Sequence, residues 1–311
     1  MVRINKVCAP YVLSTDELKQ IGGKSQKGNK LSKKIIRSIS ENSCLSRSDL
    51  IEIADAWNKN SKKNKNKKNL IKYTKKTSGK QLWHEINNRL KQQCNDEYCW
   101  INQNFAKDDK DVQSLHENFK TEMPNEWVTD NDMWLNTLDI DAALTPYERK
   151  YDNFEFIGPV PIDFDTRVEN SQCVSNELCR INIPDMAKRG MSKLGVVFNL
   201  DKHTESGSHW VALYMSLPDN IICYWDSFAM PPPDEVVKLV DRLIKQSAKI
   251  GYKLKFKKNT IRHQYKNTEC GVYCIHFIIS LLEGDKFESV CKNIIPDAKM
   301  NEYRKIFFRT K

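Results

Sequence analysis

The sequence predicts an α+β domain preceded by a helical arm, and three observations predict it. Strand-length runs rich in β-branched and aromatic residues, "KLGVVFNLD", "HWVALYMSL" and "NIICYWDSF", follow one another in the C-terminal half. Two helical patterns come after them: the amphipathic "PPPDEVVKLVDRLIKQSAKIG" and the nearly all-apolar "CGVYCIHFIISLLEG". Residues 1–120 have a different texture, basic and helical in period, which marks them off from a core at 121–311. Strands followed by helices in this order pack as layers around one sheet.

Taken in chain order, "KLSKKIIRSIS" and "CLSRSDLIEIADAWNK" carry apolar residues at three- and four-residue intervals. In the second, Ser46 or Ser48 can cap a helix that buries Leu50, Ile51, Ile53, Ala54 and Trp57, because a serine oxygen satisfies an N–H left over in the first turn. "SGKQLWHEINNRLKQQC" repeats the pattern through Leu82, Trp83, Ile86 and Leu90. Together these stretches resemble a SAP-type helix pair, a small DNA-binding motif, through a few leucines and a lysine. In the core, "MWLNTLDIDAALTPYERKY" reads as a helix behind apolar anchors, and "FEFIGPVPIDFD" as a proline-punctuated extended stretch. In the amphipathic helix the prolines sit at the entry, Val236, Val237, Leu239, Val240, Leu243 and Ile244 supply the buried face, and Gly251 is the stop. "YKLKFKKNTIRHQ" is a further strand, and the apolar helix that opens at Cys270 ends at Gly284.

Composition narrows the function classes. The 311 residues are 40% hydrophobic and 29% charged, which suits a packed core under a very polar surface. No apolar run approaches the ~18 residues of a membrane span, and "MVRINKVCAPYVLSTDELKQ" lacks the apolar stretch of a signal peptide. An intracellular, reducing space is therefore expected. The ten cysteines do not form the dense framework of a small secreted domain, so free thiols are expected. Cys94 and Cys99, even with His84 or His116 added, lack a second pair at zinc-finger spacing. They read as structural thiols, as do Cys173 and Cys179, and no metal is implied. Much of the net charge of +10 lies in "NKNSKKNKNKKNLIKYTKK", residues 58–76. This tract is either a solvated loop or a contact for nucleic acid or an acidic partner. With so little arginine and aromatic content, any nucleic-acid contact would be nonspecific.

The chemistry gathers around "HQYKNTECGVYCIHFI". Cys270 stands at a helix N-terminus, where unpaired N–H groups and the positive end of the dipole favour a thiolate nucleophile. Gly271 leaves approach to the sulfur open. His209, at the start of the strand "HWVALYM", is the candidate base, with His263 as a rival. Asp226 ends the next strand, seventeen residues on. If the two strands pair as a hairpin, Asp226 can accept the Nδ1–H of His209 and aim the ring. Gln264, six residues before Cys270, can donate its amide to an oxyanion alongside the Cys270 N–H. Cys274 and His276 fall inside the buried helix and read as packing.

His209-Trp210, Asp226, Gln264 and Glu269-Cys270-Gly271 resemble the motif set of SUMO-specific and adenovirus-type (adenain-type) cysteine proteases, in the order His, Asp, Gln, Cys. The resemblance covers about residues 125–311 and implies a papain-like fold in permuted order. "GSHWVALY", "YWDSFAMPPP" and "NTIRHQYKNTECGVY" look like the polyprotein proteases of large DNA viruses, African swine fever virus among them. That branch carries asparagine in place of Asp226, which sets this chain nearer the cellular proteases there. By resemblance the catalytic residues are His209, Asp226, Gln264 and Cys270, and Trp210 and Gly271 contact substrate, with Trp210 bordering a narrow channel for Gly-Gly. The resemblance implies no cofactor. It implies a protein substrate, either a viral structural polyprotein cut during assembly in the host cytoplasm and virion or a conjugate of SUMO or another ubiquitin-like protein. The alternative of another class is a nucleic-acid-binding protein acting through lysines 58–80.

Overall fold

Residues 43–66, 69–168 and 172–309 are described by a computed structural model of the protein. They separate into two compact units that divide between Lys120 and Thr121.

The first unit is helical. Helix α1 spans Arg47–Lys63, and Ser46, not Ser48, is its cap: the Ser46 hydroxyl accepts the Asp49 N–H while the Asp49 carboxylate accepts the Ser46 N–H. Helix α2, Gly79–Leu90, begins with the same reciprocal pair, Ser78 and Gln81. Leu50, Ile53 and Ala54 of α1 join Leu82, Trp83, Ile86 and Leu90 of α2 in one apolar cluster with Trp100, Ile101, Leu115 and Phe119, while Ile51 and Trp57 are only partly covered. The lysine tract is not one loop. Its first part is the end of α1, where Lys62 and Lys63 suit the negative pole of the helix. Lys59, Lys62, Lys63, Lys65, Lys72, Lys75, Lys76 and Lys80 are all exposed. Lys67, Lys68 and the stretch "KLSKKIIRSIS" lie outside the described residues.

The expectation of free thiols is corrected for both cysteine pairs named above. Cys94 is joined to Cys99, and Cys173 to Cys179. In each pair the chain folds back over a few residues and brings the Cα atoms to 5.4 Å and 6.3 Å, within bridging reach. Cysteine usage therefore carries no argument for a reducing space.

The second unit is built on a five-stranded sheet. Helix α3, Thr137–Lys150, starts from an Asn136–Asp139 capping pair and leads into β1, Phe154–Pro161. Then come α4 (Ile183–Lys188), β2 (Lys193–Asn199), β3 (Trp210–Ser216), β4 (Ile221–Trp225), α5 (Asp234–Ala248), β5 (Lys255–Lys258) and α6 (Cys270–Leu282). The strands lie in the order β1-β2-β3-β4-β5. The β2–β3 and β3–β4 pairs are antiparallel, and the outer pairs β1–β2 and β4–β5 are parallel. Helix α5 is the crossover into β5, as a parallel pair requires.

One face of the sheet, including Leu194, Val196, Val211, Leu213, Ile222 and Tyr224, packs on α4 and α5. The other carries α6, whose Phe277 ring stacks on Trp225 of β4 at 5.3 Å. Cover on both faces explains why every residue of β3 is buried instead of every second one. Helix α5 buries Val236, Leu239, Val240 and Leu243. The expected face was too wide: Val237 is 36% exposed and Ile244 only half-buried. At 100° per residue, Val237 and Ile244 fall outside the arc that Val236, Leu239, Val240 and Leu243 share. Gly251 and Gly284 both adopt positive φ just past their helices, where a left-handed residue ends the turn without a Cβ penalty.

Candidate active site

The antiparallel register of β3 and β4 sets Ala212 opposite Trp225. The residues before β3 and after β4 therefore emerge at the same edge of the sheet. There His209 Nε2 donates to Asp226 Oδ1 at 2.7 Å. Asp226 is wholly buried, and its carboxylate also accepts the N–H groups of Phe228 at 2.8 Å and Met230 at 3.2 Å. Its backbone is clamped by Asn259, which accepts the Asp226 N–H at 2.9 Å and donates to the Asp226 carbonyl at 2.7 Å. The expected use of Nδ1 is corrected, since Nε2 faces the carboxylate. The Cys270 thiol is near enough to the imidazole to act on its titration, and with Nε2 engaged by Asp226, Nδ1 is the nitrogen left to serve the sulfur. Phe228 stacks on the ring at 4.7 Å and fixes its plane.

Burial alone would push the His209 pKa down, but the bonds to Asp226 and Cys270 outweigh it and raise the imidazole to about 9. The sign follows directly. Below the ordinary histidine range both folded and unfolded imidazoles are protonated and the stabilisation is complete; it is lost as pH rises through about 9. An imidazolium is also the acid that a leaving amine needs. We therefore expect kcat/KM on an amide substrate to fall as pH rises through about 9, and Asp226→Asn, which removes one of the raising bonds, to move that limb to lower pH. A pH–rate profile of both proteins checks this; limbs at the same pH would show that His209 is not the titrating acid.

Cys270 is the first residue of α6 and only 2% exposed. Its N–H, like the others of a first helical turn, has no partner within the helix. Gln264 lies on the loop into α6 with no exposure at all. Ser227 Oγ donates to its Oε1 at 2.6 Å, and its Nε2 donates to the Lys266 carbonyl at 2.9 Å. The Ser227 carbonyl also accepts the N–H groups of His263 at 2.8 Å and Gln264 at 3.0 Å. With the carbonyl end occupied by Ser227, the amide nitrogen keeps one hydrogen to offer.

The rival His263 is a core residue. Its Nε2 donates to the Cys291 carbonyl at 2.9 Å, its ring meets Trp225 edge-on at 4.8 Å, and burial lowers its pKa. Cys274 is fully covered, and burial pushes its thiol well up. Burial likewise depresses His276 to about 4. Trp210, 5% exposed, donates its Nε1–H to the Leu135 carbonyl at 2.9 Å. Gly271 also has a packing role: a Cβ there would stand 3.1 Å from Leu135 Cβ and 3.4 Å from Ile140 Cδ1. Its bareness lets α6 start hard against the segment that Trp210 anchors.

Four residues escaped the sequence reading. Ser227 sets the Gln264 amide and follows Asp226 directly, which was a signal. Asn259 clamps Asp226 from the end of β5, and Trp134 stands 45% exposed beside Leu135. Arg304 is 1% exposed; its Nη2 donates to the Met133 carbonyl at 2.5 Å and to the Thr268 carbonyl at 3.5 Å, which ties the Trp134–Leu135 segment to the loop carrying the nucleophile. Among the described residues no cluster of three His, Cys, Asp or Glu side chains is placed to hold a metal ion.

Residues 193–311 match the Ulp1 protease family, C-terminal catalytic domain, a stretch that holds His209, Asp226, Gln264 and Cys270. A thiol protease of Acanthamoeba polyphaga mimivirus is 30% identical over 286 residues, covering 86% of this chain and 89% of its own. The chain belongs to the Ulp1-type cysteine protease family. A cysteine protease of African swine fever virus is 28% identical over 184 residues, covering 56% of this chain and 67% of its own. The crystal structure of an African swine fever virus protease superposes with a TM-score of 0.56 at 24% identity, covering 77% of this chain and 94% of its own. The Ulp1-type fold is thus shared with a solved viral protease, and this family member is a thiol protease with viral relatives. The mimivirus match extends beyond the catalytic unit into the N-terminal one, since 86% exceeds what residues 121–311 contain.

Proposed function

We propose that this thiol protease cuts a polyprotein after Gly-Gly, with Cys270 as nucleophile, His209 as proton carrier, Asp226 as its orienter and Gln264 as oxyanion donor. The observation that carries the assignment is the His209–Asp226 hydrogen bond at the strand ends beside the Cys270 thiol that acts on the same imidazole, with the Gln264 amide fixed by Ser227. The thiolate attacks the peptide carbonyl carbon; a C–S bond forms and the carbonyl π pair moves to oxygen, where the Gln264 amide and the Cys270 N–H receive it. Collapse breaks the C–N bond, and the departing amine takes its proton from the His209 imidazolium. Water then attacks the thioester with His209 taking its proton, and collapse breaks the C–S bond, releasing the acid and restoring the thiolate beside the imidazolium.

Glycine before the cut is supported by space. Cys270 is 2% exposed and Trp210 5%, so a residue lying along the sulfur has little room for a Cβ. Viral relatives support a structural polyprotein as substrate, processed in the host cytoplasm at assembly sites and in the virion. A second reading, removal of SUMO or another ubiquitin-like protein, is favoured by the name "SUMO-1 cysteine protease" borne by African swine fever virus relatives. Incubating the protein with Gly-Gly-Xaa peptides and with SUMO fusions, then sequencing the products, separates the two. Cleavage of neither, with cuts elsewhere, would overturn the Gly-Gly assignment.

For the arm, the exposed lysines between Lys59 and Lys80 support nonspecific nucleic-acid attraction as an accessory to proteolysis. Replacing Lys62, Lys63, Lys65, Lys67 and Lys68 with glutamine is expected to weaken salt-sensitive DNA binding and to leave short-peptide cleavage unchanged. A DNA titration at low and moderate salt checks it. Equal, salt-insensitive binding by both proteins would leave the tract a solvated surface.

A further inference from the structure

Most exposed arginines sweep a wide volume. Arg262 does not. Its Nε donates to the Gln264 carbonyl at 2.7 Å, and its guanidinium carbon stands 5.1 Å from the centre of the Phe228 ring and 4.9 Å from that of Tyr265. One hydrogen bond and two aromatic contacts hold the plane in place. Among the described residues no carboxylate pairs with it, so both Nη groups stand free in a fixed fork.

The fork's position ties it to the reaction. Phe228, which carries it, covers one face of the His209 imidazole at 4.7 Å. A leaving amine that collects its proton from His209 departs over that ring. The residues just after the cut therefore meet Phe228 and, beyond it, Arg262. The neighbouring surface is basic and open. Tyr265 is 69% exposed, and Ile261, the residue before Arg262, lines a groove of about 460 Å³ with Lys258 and Lys292, where Glu288 is paired with Lys257 at 2.5 Å.

We propose that Arg262, framed by Phe228 and Tyr265, is a specificity residue that receives a carboxylate from the leaving side of the cut, so that the enzyme prefers Asp or Glu within the first few residues after the scissile bond. A guanidinium presented as a rigid fork recognises a carboxylate by two parallel N–H donations, which a neutral amide cannot match. The proposal rests on Cys270 being the nucleophile and His209 the acid, and it is independent of what precedes the cut.

The test uses the full chain and a library of peptides from denatured cellular proteins with blocked amines. Sequencing both ends of each product reads the two sides of the cut separately, so failure of the Gly-Gly assignment appears before the bond and failure of this one after it. Asp and Glu are expected to be enriched at one of the first three positions after the cut. A matched peptide pair with Glu or Gln at that position then gives a ratio of kcat/KM within each enzyme, in which any general loss of activity cancels. We expect a Glu-over-Gln ratio of about tenfold for the wild type, near one for Arg262→Gln, and below one for Arg262→Glu. Arg262→Lys, which keeps the charge and loses the fork, is expected in between. No acidic preference in the wild type, or the same ratio in wild type and Arg262→Glu, would overturn the proposal.

Discussion

Cys270→Ala is expected to reduce proteolysis by on the order of 10⁶-fold, to background, and to leave the fold intact. The sulfur is the atom that bonds the substrate carbon, so nothing else in the site replaces it. The side chain is small and sits at the first position of α6, whose packing comes from Val272, Ile275, Phe277 and Ile278 deeper along the helix. Thermal unfolding should therefore shift little. The same chemistry predicts labelling order. Burial holds the thiols of Cys223 and Cys274 far above their usual range and raises Cys291 to about 11. Among these four, the Cys270 thiol is the one that acts on an imidazole held in hydrogen-bonding range of a carboxylate. Iodoacetamide, small enough for a sulfur with 2% exposure, is expected to modify Cys270 first and to stop activity in step. Undiminished cleavage by purified Cys270→Ala would remove the cysteine from the chemistry.

Gln264→Ala is expected to lower kcat by about 10²–10³-fold, roughly 2.7–4 kcal/mol, with KM nearly unchanged. The reason is that an oxyanion exists only after attack, so the amide contributes to the transition state and not to substrate binding. Gln264→Glu is expected to be worse, because a carboxylate repels the developing charge. Ser227→Ala tests the same point at one remove. Without the hydroxyl that occupies Oε1 at 2.6 Å, the Gln264 amide loses the bond that orients it, and kcat is expected to fall while KM holds. A large rise in KM at constant kcat in Gln264→Ala would instead make Gln264 a substrate-binding residue.

Much of this molecule is written locally. The Ser46 cap, the stripe of α5, the all-apolar α6 and the strand runs depend on residues within a turn or a strand of one another, and period and turn chemistry reveal them. The meeting of His209 with Asp226 was legible for a related reason: two adjacent strands joined by a short turn have one simple pairing, which returns the second end to the first. What sequence could not decide were contacts between segments that only packing brings together. The ring nitrogen that faces Asp226 depends on how β3 presents His209 to the end of β4. Asn259 reaches Asp226 because β5 lies parallel beside β4 after the α5 crossover. Gly271 is bare because Leu135 and Ile140, more than a hundred residues earlier, press on the start of α6. Arg304 binds Met133 and Thr268 together across separations of 171 and 36 residues. The joining of Cys94 to Cys99 was likewise hidden, since a spacing does not say whether the chain turns back between them. The sequence by itself determined the elements, the order of the chemical groups and the sheet edge where two of them meet. The tertiary structure decided which atoms face which, because that depends on the angle and depth at which distant elements pack, and no local pattern encodes either.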